Sequence, residues 1–167
     1  MNTILAFFIN RHMPVYDRKK AVEYAYKWWN KRNPEFYNFD KIGGDCTNFI
    51  SQCLLGGGIE MYPTENGWHY FSLSNRSPAW SGVNEFYSFL ITNKAEKGIK
   101  GRLCEEKELE IGDVVQMDLG RGVFHHNLLV TSIKNGKIFI ACHSADAFDK
   151  SIDDYRFTRI RFLKILN

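Results

Sequence analysis

The chain has 167 residues, 44% of them hydrophobic and 15% aromatic, which suits one domain with a real core and is short for two. Its net charge of +3 is spread along the chain. That permits an anionic partner such as a bacterial cell wall, but it does not form the basic patch that a nucleic-acid binder needs. No apolar run approaches the length of a membrane span, so neither nucleic acid nor membrane is an expected partner.

The first segment, MNTILAFFINRHMP, holds a short apolar stretch from Ile4 to Ile9. It lacks a preceding positive region and a small-residue cleavage site, so it reads as an N-terminal extension (1–15) rather than an export signal. A single domain is expected over 16–167. Asp17 can cap a helix running to about Arg32, with Ala21, Val22, Ala25, Trp28 and Trp29 at helical spacing. Pro34 limits it, because the residue before a proline is pushed out of helical geometry.

The loop EFYNFDKIGG leads to a second helix, Cys46 to Leu55, whose apolar face is Phe49, Ile50, Cys53 and Leu54. Gly56, Gly57 and Gly58 end it. A long irregular stretch follows. Within it Trp68, Trp80, Tyr62 and Tyr70 could line a groove for a sugar or peptide, or simply pack in the core. His12 and His69 have no visible partner and read as surface residues. A third helix is expected from about Ser81 to Thr92.

The second half changes to strands: DVVQMDL, HHNLLVTSI, KIFIACHS and YRFTRIRFLKI. Helices followed by strands indicate an α+β fold. Asn135-Gly136 between two apolar runs predicts a type I′ hairpin. Regular pairing from that turn sets Leu128 opposite His143 and His126 opposite Ala145. His126 and His143 then share a face, and His125 and Asp146 pair on the other.

Four cysteines, Cys46, Cys53, Cys104 and Cys142, contain no CxxC pair and form neither a disulfide framework nor a zinc site. No metal or cofactor is expected. Unpaired thiols lean toward a reducing compartment. Cys53, Cys104 and Cys142 read as structural. Cys46 differs because Asp45 is a plausible N-cap and places it in the first helical turn. A helix N-terminus and a neighbouring imidazolium both favour the thiolate.

At this point GGDCTNFISQ, IGDVVQM, HHNLLVT and IFIACHSAD closely resemble the "putative amidase domain" family, related to NlpC-type and CHAP cell-wall hydrolases of the papain-like superfamily. The resemblance runs from about Tyr16 to the C-terminus. It implies a papain-like fold with N-terminal helices packed on a C-terminal antiparallel sheet. It places the nucleophile at Cys46, the base at His126 and the third polar group at His143. The doubled histidine keeps His125 open as the base with Asp146 as its partner. Tyr37 resembles the aromatic that helps bind the oxyanion in relatives. Asp45 reads more as a helix cap than as a catalytic acid.

The function implied is a cysteine-dependent amidase or peptidase acting on peptidoglycan or another amide or peptide substrate. The alternatives are a cell-wall binding module and an amide or acyl transferase on the same scaffold. An enzyme of this class without an export signal would be released by lysis, act inside the cell, or form part of a longer exported protein.

Overall fold

A computed structural model describes residues 15–167, so the expectations for the N-terminal segment and His12 lie outside the described residues. The helices come first. They are α1 (Arg18–Trp28), α2 (Cys46–Gly56), the one-turn α3 (Pro78–Ser81) and α4 (Val83–Thr92). Six strands follow: β1 (Gly101–Cys104), β2 (Val114–Asp118), β3 (His126–Lys134), β4 (Lys137–Cys142), β5 (Ala147–Ser151) and β6 (Arg159–Ile165). They form one antiparallel sheet in the order β1-β6-β2-β3-β4-β5. The fold is therefore α+β, with helices preceding an antiparallel sheet. No helix among the described residues is long and apolar enough to cross a membrane.

Asp17 caps α1 as the sequence predicts, accepting from the Lys20 amide at 3.1 Å. The helix stops at Trp28, short of the expected Arg32. That early end leaves the Trp28 carbonyl to accept from the Lys31 amide at 3.2 Å and from His143, and lets Arg32 turn toward the site. β1 and β5 were not expected. Each lies at an edge of the sheet with a partly exposed, polar-rich sequence that lacks strand alternation.

The sheet buries both faces. Val114, Leu129, Ala141, Leu163 and Ile165 join the helix side, with Phe49, Ile50, Leu54, Trp68 and Trp80. Val115, Met117, Leu128, Val130, Ile140 and Cys142 form a second cluster on the far side. α2 is sunk between α1, α3 and β3, and every residue from Cys46 to Leu54 is buried.

The hairpin turns at Asn135 and Gly136, both with positive φ (52° and 74°), as a type I′ turn requires. Lys134 pairs with Lys137 and Ser132 with Phe139 in the expected register. A bulge at Thr131 then shifts the pairing, so that Val130 meets Ile140 and Leu129 meets Ala141. One extra residue in one strand reverses every side chain beyond it. Continued by alternation, the register sets Asn127, not Leu128, opposite His143. The expected shared face of His126 and His143 is thereby overturned. His126 falls on the side of Leu128 and Val130, whereas His143 falls on the helix side with Ala141.

Candidate active site

Cys46 is the first residue of α2, and Gly44 shapes the approach to it. Gly44 has φ +101°, and a Cβ there would meet Ser144 Oγ at 3.1 Å. That close passage lets Ser144 Oγ accept the Asp45 amide hydrogen at 2.8 Å. The Cys46 sulfur lies 3.9 Å from Thr47 Oγ1 and 3.9 Å from the His125 carbonyl. Among the described residues no imidazole hydrogen-bonds to it.

Burial raises the Cys46 thiol pKa, and hydrogen bonds from the Asn127 and Thr47 amides and the Thr47 hydroxyl only partly offset this. The thiolate-favouring environment expected of a helix start is therefore absent in this state. Here desolvation outweighs the helix end. Thr47 receives a polar chain of fixed direction. Arg161 Nε donates to Gln116 Oε1 at 2.7 Å, and Gln116 Nε2 donates to Asn127 Oδ1 at 2.6 Å. Asn127 Nδ2 donates to Thr47 Oγ1 at 3.0 Å. Because Thr47 accepts from Asn127, its own hydroxyl proton is free to turn toward sulfur.

His126 is buried at the head of β3, and its Nε2 has no hydrogen-bond partner among the described residues. Burial and the adjacent His125 push its pKa down to about 4, so the ring is neutral at physiological pH. Its nearest aromatic neighbour is Tyr155, 6.4 Å between ring centres. His125 is tethered elsewhere. Its Nδ1 donates to the Val123 carbonyl at 2.9 Å and stands 3.8 Å from Asp118 Oδ1.

His143 is in the opposite condition to His126. Its Nδ1 lies 2.6 Å from Asp45 Oδ2, its Nε2 donates to the Trp28 carbonyl at 2.9 Å, and its ring stacks on Phe49 at 3.9 Å. Asp45 also accepts from the Phe39 amide and Asn48 Nδ2, each at 2.9 Å, and faces Arg32 Nε at 3.5 Å. It occupies the cap position of α2 without a side-chain capping bond. Asp45 holds the expected cap position, but its carboxylate, instead of capping, ties α2 to the end of β4 and the preceding loop. His143 has no free nitrogen with which to orient His126.

The match to known families covers this assembly. A family model described as "Putative amidase domain" matches residues 15–165. The chain belongs to that family. It is 39% identical over 127 residues to the Uncharacterized protein YhbB of Bacillus subtilis (strain 168), a match covering 74% of this chain and 39% of the relative. It is 30% identical over 142 residues to the Uncharacterized protein YjcM of the same organism, covering 78% of this chain and 31% of the relative. The chain thus spans well under half the length of these relatives. No solved structure matches it.

Within this amidase-family domain the remaining candidates separate. Asp146 does not reach His125; Arg32 holds it through two bonds of 3.0 and 2.9 Å and bridges it to Asp40. The bulge and the turn after β4 carry it away from the head of β3, so its expected pairing is corrected. Trp68 is wholly buried and donates Nε1–H to Ser51 Oγ at 3.1 Å, which makes it core rather than groove. Trp80 behaves alike, donating to Asn48 Oδ1 at 2.8 Å. His69 is buried, not at the surface, with Nδ1 unpartnered.

Tyr37 is 39% exposed, and its backbone is held at both ends, by Tyr70 Oη at 2.8 Å and Asn48 Nδ2 at 3.1 Å. Its phenol hydroxyl makes no hydrogen bond among the described residues, and its ring meets Phe39 edge-on at 5.1 Å. Among the described residues no three His, Cys, Asp or Glu side chains gather as a metal ligand set. Sequence reasoning missed Gln116, Asn127 and Arg161. Their only signal was polar residues in otherwise apolar strands.

Proposed function

We propose that the protein is a cysteine-dependent amide hydrolase of the papain-like type, with Cys46 as nucleophile and His126 as base. The observation that carries this reading is the presence of two unspent groups near the junction of α2 and β3, neighbours along the backbone although the His126 ring stands on the far face of the strand. Cys46 heads a helix with its sulfur against the start of β3, and His126 heads β3 with a buried, unpartnered ring nitrogen. A protein has little reason to bury an imidazole without a partner, since the desolvation is uncompensated.

The resting pair is neutral: a protonated thiol and a neutral imidazole. His126 would take the thiol proton as sulfur attacks the amide carbon, then give it to the leaving amine. The freed Thr47 hydroxyl and the first-turn amides of α2 would support the growing negative charge, with Tyr37 as a further donor. Water would then hydrolyse the thioester. His143 and Asp45 act as scaffold, fixing the helix start.

Peptidoglycan is the proposed substrate, cleaved at the sugar–peptide amide or within the stem peptide, in keeping with the family and the mild positive charge. The test is mass spectrometry of purified cell-wall fragments after incubation with wild type and with Cys46→Ala. Fragments released by wild type alone support the proposal, and their masses name the bond. Release by Cys46→Ala at the wild-type rate overturns it.

A further inference from the structure

Arg161 on β6 holds an unclaimed positive charge beside the active site. Its guanidinium is clamped between the rings of Tyr87, 3.5 Å from the ring centre, and Phe124, at 4.0 Å. Its one hydrogen bond among the described residues goes from Nε to Gln116 Oε1, and Nη2 is buried with no acceptor. The nearby carboxylate of Asp118 is already held by Arg159 at 3.1 and 2.9 Å and by two backbone amides. A partly desolvated cation with no counter-charge is unfavourable, and burial pushes its pKa down.

Three features make this a prepared site. The flanking rings and Gln116 fix the plane of the guanidinium, leaving the Nη1–Nη2 edge without an acceptor. A carboxylate arriving at that edge takes a charge-assisted bond from Nη1, since Nη2 is closed to solvent. Phe124 directly precedes His125 and His126, and Arg161 heads the hydrogen-bond chain that ends at Thr47 beside Cys46. On the same loop Leu119 and Val123 are exposed (40% and 54%), offering apolar contact next to the charge.

We infer that Arg161, held between Tyr87 and Phe124, anchors a free carboxylate of the substrate, so that the site takes carboxylate-bearing peptides. The inference rests on the amidase reading for its substrate and not for its binding chemistry. A charge-assisted hydrogen bond in a partly desolvated place is worth about tenfold or more in affinity.

Binding is measured on Cys46→Ala, which does not consume ligand. The probe is the peptide L-alanyl-γ-D-glutamyl-L-lysyl-D-alanine, as the free acid and with its carboxyls amidated, titrated by calorimetry. The Arg161 Nε–H resonance is followed by NMR as sodium acetate is added. The acid should bind about tenfold tighter than the amide. Arg161→Met should erase that difference, and Arg161→Lys, which keeps charge and length, should reduce it. Acetate should shift the Arg161 resonance. Equal affinity for acid and amide, or a difference that survives Arg161→Met in a folded protein, overturns the inference. If neither peptide binds and no cell-wall fragment is cleaved, a saturable acetate shift still upholds the carboxylate site and the cell-wall reading alone falls. An acetate titration without a shift overturns the site itself.

Discussion

Two buried histidines stand on opposite faces of the β3–β4 hairpin, and they differ in how much of their hydrogen bonding is spent. His143 has a carboxylate on one nitrogen, a carbonyl on the other and a ring stacked on Phe49. His126 has an unpartnered Nε2 in a place water does not reach. A fully satisfied buried group specifies geometry and makes its removal costly. An unsatisfied one costs stability in the resting state and keeps its chemistry available. On the proposed reading His143 is structural and His126 is the group that reacts.

The largest effect should come from Cys46→Ala. Loss of the nucleophile should lower turnover by roughly 10⁴-fold or more, with thermal unfolding near that of wild type. His126→Gln should follow, with turnover down by about 10²–10⁴-fold. Measured by chemical denaturation, its stability should stay near that of wild type, because one buried unpaired polar group replaces another.

Asp45→Asn or His143→Phe should break the buried, hydrogen-bonded Asp45–His143 pair and destabilise by about 3–5 kcal/mol. Scanning calorimetry would register about 6–20 °C at 2–4 °C per kcal/mol.

The four inner strands of the sheet and α2 were legible in the sequence because their patterns are local. Asn135-Gly136 set the turn, and Phe49, Ile50, Cys53 and Leu54 set the buried face of α2. What sequence could not show was the single extra residue at Thr131, which has no compositional mark and yet reverses the face of every residue toward the site. The nucleophile candidate could be read from its helix start and neighbouring motif. The partners of the histidines could not, since Asp45–His143 and Arg32–Asp146 join residues far apart in sequence. Trp68 illustrates the same limit: an aromatic in an irregular segment reads alike whether it lines a groove or fills the core.

The pH dependence sharpens the comparison further. His126 has a folded-state pKa of about 4 against an ordinary 6.5. The unfolded chain therefore binds more protons between these values. Stability from the neutral ring is fully present above pH 6.5 and is lost as pH falls toward 4, by about 3 kcal/mol in all. Denaturant midpoints from pH 7 to 4 should show this loss in wild type and a smaller one in His126→Phe. The smallest effect should be that of Asp146→Asn. Its bridge to Arg32 lies near the surface, so stability should drop by about 1 kcal/mol or less, and turnover should stay within about twofold. A large loss of turnover there would restore Asp146 to the site.

The most direct test is to compare His126→Gln and His143→Gln side by side, measuring the melting temperature and the turnover of cell-wall fragments per folded molecule. The account predicts that His126→Gln keeps its melting temperature and loses turnover. His143→Gln should lose melting temperature and, while folded, keep turnover within about tenfold. The reverse result, an active His126→Gln and a stable but inactive His143→Gln, would contradict it.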